Sequence, residues 1–532
     1  MKSNTRKFLT STLLAAGLAA SPLLSGDAMA KTLRIGAQAD AGTMDPQAQN
    51  IMTTITLLSM IYDSLVSRDG EMQPQPRLAT SWEQVEPTRW RFVLREGVTF
   101  HDGADFTAED VAFTIERAQQ PTSQFLSMAA GLKTEIVDDY TIDIITPERD
   151  IFLPSRMISL AIMDKDWAEA NGSLAPQNLG EGEESFSALN ANGTGPYKLI
   201  SRVPDSKTVL EATGEYWGEM AGDIDTVEFY PLSNDPTRVA ALLSNEVDLL
   251  IDVPAQDVAR LEAAPGIKTE MVDEYRTLFI GFDHASDTLK YGDAGGKNPF
   301  KDPKVRQAIS HAIDRQAIKR TVMRGLANPT TQMLAPKNVG YVEELDTLIP
   351  YDREKAKELL AEAGYPDGFS VTFDCPNNRY INDEQVCRTL VTMLAQIGIE
   401  ADLNAMPRAQ YFPKLWERDT SMFLMGINSP FADGIYNLEK YTMTRNDETG
   451  DGIYNYTQSD YPELNARVED ARRTEDEAER VKKIEDLYRY LTEEQFYVGL
   501  YNQVLVYAMQ ENVSAPVRPD NWLEIRWVTM DE

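Results

Sequence analysis

The sequence predicts an α/β chain folded into at least two lobes. Three observations carry this. Strand and helix patterns alternate from residue 223 to residue 403, which is the signature of α/β layers. A chain of 532 residues exceeds what one hydrophobic core organises. No repeat or low-complexity linker divides it, so its lobes must be joined by short crossings. Two apolar runs, 277–282 (TLFIGF) and 497–508 (YVGLYNQVLVYA), are placed to make those crossings, near His284 and Gly499.

The N-terminus is not part of the fold. Lys2, Arg6 and Lys7 form a basic start, residues 8–24 are mostly apolar, and Ala28-Met29-Ala30 offers small residues at both positions that signal peptidase reads. Residues 1–30 are therefore expected to be a signal peptide cleaved after Ala30, since Pro22 and the internal hydroxyls make the segment a poor membrane span. Lys31 follows, where a lipoprotein would carry Cys. The mature chain is expected to be exported and soluble. With 42% hydrophobic and 25% charged residues the composition is that of a globular protein. A formal net charge of −33 excludes nucleic acid and anionic lipid surfaces as natural partners, because phosphate contacts would be repulsive.

In chain order, 32–36 (TLRIG) is an expected strand, followed by a loop of small and acidic residues, 37–46, and an apolar helix over 51–66. Residues 78–82 and 90–95 are expected strands; in the latter Trp90, Phe92 and Leu94 alternate with Arg91, Val93 and Arg95. Thr107 and Asp110 make a capping box of the acidic kind that launches a helix over 108–119. Further strands are expected at 223–229, 245–251 and 267–272, with helices at 235–243 and 254–264. The stretch 301–320 (KDPKVRQAISHAIDRQAIKR) opens a new lobe. Asp302 is a good N-cap, Pro303 suits the first helical position, and Val305, Ala308, Ile309, Ala312, Ile313 and Ile318 form one apolar stripe. Helices at 352–363 and 383–397, each closed by a glycine, alternate with strands at 370–374, 399–403 and 421–426. A long charged helical region, 461–492, precedes the last apolar run.

Several blocks resemble one family. PRLATSW with FVLREGVTFHDGADFTAEDVAFTIERA, then GTGPY, GEYWG and DPKVRQAISHAIDR, are similar in wording and order to the family 5 extracellular solute-binding proteins of ABC importers for dipeptides, oligopeptides and nickel. The resemblance runs from about residue 32 to about residue 528. It implies a hinged periplasmic-binding-protein fold, type II-like, of the large peptide-binder class with an extra subdomain. The first lobe is expected over 31–284 plus 500–532, with the inserted subdomain at roughly 70–190, and the second over 285–499. The implied role is to capture a peptide-like solute between lobes and deliver it to permease subunits at the inner membrane. A periplasmic monomer without a cofactor is expected.

No enzymatic signature stands out. His101, His284 and His311 lack metal-ligand companions at a binding spacing, and there is no nucleophile elbow, HExxH or phosphate-cradling glycine loop. Asp447 to Gly452 imitates the start of a calcium loop, but position twelve would be Gln458. Cys375 and Cys387 are expected to be bonded in an oxidising compartment; the alternative is two buried thiols. The loop between them carries Asn377, Asn378, Arg379 and Tyr380. A second polar loop, 427–436 (INSPFADGIY), carries Asn428, Asp433 and Tyr436. Arg379 is a fork donor suited to a carboxylate and Asp433 an acceptor suited to an ammonium, so the pair would match a zwitterion. The resemblance implies the same: dipeptide binders of the family hold the ligand amine with an aspartate in the second loop and the carboxylate with an arginine near the first. Arg276, beside the 277–282 run, and Thr43, in the 37–46 loop, complete the expected ligand set. Other cargoes open to the same fold are an opine, an oligosaccharide or a metal chelate. A hydrolase using a carboxylate pair is the alternative from another class.

Overall fold

The computed structural model describes residues 30–70, 72–180, 185–429, 431–447 and 449–531. The expected leader lies, apart from Ala30, outside the described residues. The strands gather into one 12-stranded sheet in which Ile267–Phe282 and Val498–Gln510 lie side by side at the centre. On one side of that pair, Thr32–Ala37 runs parallel to Thr226–Pro231 and to Leu249–Leu250. On the other side, Phe369–Pro376 runs parallel to Ile399–Met406 and to Met422–Asn428. The sheet thus holds two parallel sets joined by two long crossing strands.

The first crossing strand was expected as two runs and is one strand of 16 residues. Its first half pairs Ile267–Asp273 with residues 504–510, and its second half pairs residues 277–280 with residues 498–502 and residues 276–282 with Met422–Asn428. Between Asp273 and Thr277 the register shifts, which releases Glu274 and Tyr275 from the ladder at the point where the strand passes from one lobe to the other. The first half is half-exposed and the second fully buried, which is why the sequence shows a polar stretch followed by an apolar run.

Distinct cores flank the crossing. Leu33, Ile35, Val227, Phe229, Leu249, Leu523 and Val528 share one. A four-stranded antiparallel sheet (Ala79–Glu86, Arg89–Leu94, Thr141–Ile145, Lys133–Asp138) closes another with the helix Ala108–Ala118, burying Phe92, Phe106, Val111 and Ile144. The capping box of that helix forms as expected. Beyond the crossing, Leu278, Ile280, Val305, Ile309, Phe373, Leu390 and Leu424 form the core of the second lobe.

Several elements are shorter than the sequence patterns suggest, for identifiable reasons. The helix expected over 51–66 is Met52–Leu58, because the carbonyls of Met60 and Ile61 leave the helix to accept from Tyr197 and Gly195 of the GTGPY segment. A Cβ at Gly193 would lie 2.0 Å from the Ile61 carbonyl oxygen, so that contact requires glycine. The helix expected over 301–320 ends at Ala312. Asp302 caps it as expected, but Ile313 is extended and Arg315 turns inward, donating to the carbonyls of Ser310, Thr330 and Gly499. The region 461–492 is two helices, Pro462–Arg473 and Glu477–Glu493, the second capped by Asp476. Among the described residues no helix is long and apolar enough to cross a membrane.

Candidate functional site

In α/β sheets, ligands gather outside the carboxyl ends of the parallel strands. The first lobe's parallel set ends at Ala37, Pro231 and Leu250, and Asp252 stands two residues beyond the last of these. The second lobe's set ends at Pro376, Met406 and Asn428, with Arg379 and Arg408 just past the first two. Glu274 and Arg276 lie on the crossing strand that connects the sets.

The loop bearing Arg379 is firmly built. Cys375, in the strand, and Cys387, in the helix Asp383–Ala395, are disulfide-bonded with Cα atoms 6.6 Å apart. The Asp383 carboxylate accepts from the backbone N–H groups of Arg379 at 2.8 Å and Tyr380 at 3.0 Å. Asn378 Oδ1 accepts from the Arg408 backbone N–H at 2.8 Å, tying this loop to the start of the helix Arg408–Trp416. Backbone groups are thus consumed inside the loop, while the Arg379 guanidinium reaches out over the Tyr380 ring, 5.0 Å from its centroid. Arg276 approaches the same ring at 5.9 Å. The Tyr380 hydroxyl accepts from the Gly426 N–H at 2.9 Å, and a Cβ on Gly426 would come within 2.7 Å of the ring. One tyrosine therefore aligns two guanidinium groups, each contact contributing about 0.5–2 kcal/mol.

The electrostatics leave an excess of positive charge. Arg276 donates from Nε to Glu274 Oε1 at 2.9 Å, and Gln503 Nε2 donates to Glu274 Oε2 at 2.8 Å. Burial opposes the Arg276 charge, but Glu274 outweighs it and its pKa rises. Burial also pushes the Glu274 carboxyl up, against the pull of Arg276. Burial and then the neighbouring Arg276 press the Arg379 pKa down, and burial does the same to Arg408. Among the described residues, Arg379 and Arg408 have no carboxylate within ion-pair distance. Three guanidiniums face two carboxylates, an arrangement suited to an anionic group arriving from outside.

The second polar loop is organised differently. Asp433 caps the helix Gly434–Tyr441 by accepting from the Ile435 N–H at 2.9 Å, and its other oxygen accepts from Arg480 Nη2 at 2.8 Å. Burial raises its pKa despite Arg480. Both oxygens of Asp433 are engaged within the second lobe. Nearby, Phe431 stacks on Phe152 of the first lobe at 5.9 Å and 12°, and Tyr436 meets Phe431 edge-on at 4.9 Å. At this rim Glu148 accepts from Arg472 and Arg473, and a groove of about 720 Å³ opens beside it along residues 443–451. Of the acids of that groove, Glu148, Asp451 and Glu469 are drawn to Arg472 and Asp447 to Arg445, and it lies away from the strand ends. Among the described residues no cluster of His, Cys, Asp or Glu could hold a metal.

The sequence profile of the bacterial extracellular solute-binding proteins, family 5 Middle, matches residues 73–449. The chain belongs to that family. It is 26% identical over 522 residues to the glutathione-binding protein GsiB of Salmonella paratyphi A, covering 96% of each chain. Its structure is similar to that of the ABC transporter-associated periplasmic binding protein DppA of Helicobacter pylori in complex with the peptide STSA, with TM-score 0.80, 24% identity and coverage of 94% of this chain and 98% of that one. It is also similar to AgaA of A. tumefaciens R10 in complex with agropinic acid, with TM-score 0.78, 24% identity and coverage of 94% and 99%.

In this family 5 protein the structure brings Arg276, Asn378, Arg379 and Tyr380 together, with Asn428 paired across the sheet from Arg276. The Asn428 Oδ1 is buried and has no hydrogen-bond partner among the described residues. Asp433 and Tyr436 lie at the rim of the lobes instead. Thr43 is buried in the first lobe, where its hydroxyl accepts from the Asp45 N–H. Glu274, Arg408 and Asp252 escaped the sequence reading. Asp252 follows the expected 245–251 strand by one residue, which was the available signal. Arg408 lies in a stretch without an expected element.

Proposed function

We propose that this family 5 protein is the periplasmic solute-binding component of an ABC importer, and that its solute is a small, peptide-like molecule bearing a carboxylate. The observation that carries the reading is the convergence of Arg276 on the crossing strand with Arg379 and Arg408 at the second lobe's strand ends, with only Arg276 matched by a paired carboxylate. Glutathione, a tetrapeptide and agropinic acid, carried in the names of similar proteins, all have carboxylates. Asp433 serves as a cap and ion-pair partner that shapes the second loop, rather than as the amine anchor. No reaction is part of this role, and the carboxylates Glu274 and Asp433 are both committed to arginines.

In this account the mature chain begins at Lys31 and works as a monomer. Residues 31–284 plus 500–532 form the first lobe and 285–499 the second, and closure presents the solute to permease subunits. A thermal-shift screen with glutathione, Ser-Thr-Ser-Ala, agropinic acid and maltose tests it. A ligand present at a hundred times its Kd stabilises by about 2.7 kcal/mol, and that gain is expected from at least one of the three carboxylate compounds. Stabilisation by maltose alone would reverse the reading toward a neutral sugar.

A further inference from the structure

We infer that Asp252 is the acidic anchor for the solute's ammonium group, supplied by the first lobe across from the guanidinium cluster. This rests on the carboxylate reading above and deepens it, since it makes the solute a zwitterion held from both lobes.

The position is enforced by the backbone. Asp252 has φ of +61°, a region that aspartate and asparagine enter more easily than other residues with a side chain. Its carbonyl accepts from Arg238 Nη2 at 2.9 Å. Arg238 is itself fixed, donating to the Leu232 carbonyl at 2.7 Å and to Asp235 Oδ1 at 2.8 Å. The Ile251 N–H is held by the Gly36 carbonyl. The chain is therefore turned sharply where the parallel set of the first lobe ends, and it delivers a carboxylate there.

Elimination points the same way. Glu274 is saturated by Arg276 and Gln503, and Asp433 by Ile435 and Arg480. Asp383 accepts from three backbone N–H groups. Asp520, beside Tyr275 of the crossing strand, is bound by Arg518, Arg68 and the Trp522 N–H. Neither Asp252 nor Asp383 has a lysine or arginine within 4 Å of its carboxylate among the described residues, but Asp383 is filled by its three backbone N–H groups, whereas Asp252 has a single backbone partner, Gln38. Burial raises its pKa, while Arg238, Arg379 and Arg408 are near enough to favour its charge.

Arg379 and Arg408 stand on the facing loops, yet neither forms an ion pair with Asp252. A gap between an acid on one lobe and guanidiniums on the other has the polarity of an amino acid or peptide spanning it. Such a ligand would join the lobes through its two charged ends, so its binding energy would favour closure directly.

Calorimetry on the full mature chain tests the inference with four probes: glutathione and Ser-Thr-Ser-Ala, each with a free and an acetylated amine. The wild type is expected to bind at least one free-amine probe tenfold or more tighter than its acetylated form. Asp252→Asn is expected to abolish that preference and to leave affinity for the acetylated probe within twofold. Asparagine suits the positive φ, and Asp252→Gly repeats the measurement should the first variant fail to fold. Wild-type protein that binds free and acetylated probes equally, or Asp252→Asn that keeps the preference, overturns the anchor while the carboxylate reading stands. Wild-type protein that binds none of the four overturns the anchor, and it overturns the carboxylate reading as well if agropinic acid also fails to bind.

Discussion

The two lobes meet at two places, and the two meetings rest on different physics. At the crossing strands the contact is a long backbone ladder, interrupted at two register shifts, with buried pairs set into it. Glu274 bridges Arg276 and Gln503, and Thr277 donates to Asn502 at 2.6 Å. At the rim, Glu148 is 48% exposed and Arg473 65%, and Arg149 reaches a Glu475 that is 84% exposed. Exposed pairs contribute about 0–1 kcal/mol, whereas unpairing a buried charge costs about 3–5 kcal/mol. The crossing is thus the fixed register of the molecule. The ion pairs of the rim are weak, and its apolar contacts are the Phe152–Phe431 stack and Tyr436, which packs into the core that holds Phe125, Met128 and Leu153.

The sharpest break of this contrast is Glu274→Ala, which strands Arg276 without its carboxylate. It is expected to cost about 3–5 kcal/mol in urea denaturation. A loss below about 1 kcal/mol would make the crossing no different from the rim. The double variant Cys375→Ser with Cys387→Ser comes next, at about 3 kcal/mol for a loop of this length. It should also weaken ligand binding, because it frees the loop that aims Arg379.

Glu439 lies between the two regimes, near Lys440, Arg472, Asp451 and the first lobe's Asp150. Burial holds its carboxyl up to about 7. In the unfolded chain the value is about 4.3, so the native form keeps a proton that the unfolded form has lost. Stability from this group is full below about pH 4 and falls as pH rises to about 7, on the order of 3–4 kcal/mol in total. Glu439→Gln should flatten that slope in denaturation series across this range, and an unchanged slope would place the titration elsewhere.

Arg379→Ala should weaken a carboxylate ligand by about 2 kcal/mol or more in calorimetry while leaving the melting temperature nearly unchanged. Arg379→Lys keeps the charge but loses the fork, so its loss should be smaller. Smallest is Glu148→Gln, expected within about 1 kcal/mol for stability. Its signature is a larger radius in small-angle scattering of the unliganded protein at low salt, converging with wild type at high salt.

Much of the architecture is legible in the sequence because it is written locally. The capping box at Thr107, the Asp302 cap, the glycines that end helices at 364 and 398 and the apolar runs all act within a few residues. What escaped depends on distant partners. The break after Ala312 is driven by Arg315 seeking carbonyls at Thr330 and Gly499. The paired strands Lys133–Asp138 and Thr141–Ile145 were passed over because exposed Glu135, Asp138 and Asp139 mask their alternation. At the site, Arg379 is visible as a fork donor past a strand end. Asp433 also looks available, because Arg480, which occupies it, is 47 residues away. Glu274 and Arg276 differ from ordinary strand residues only through the register shift that exposes their roles.

The central claim is that guanidiniums of the crossing strand and the second lobe's strand ends recognise a carboxylate. The most direct measurement is calorimetric titration of the tighter-binding of glutathione and Ser-Thr-Ser-Ala against the same molecule with its C-terminal carboxylate converted to the amide. The account predicts that the amide binds at least about tenfold more weakly, a difference of about 1.4 kcal/mol. Equal affinity for acid and amide would contradict it.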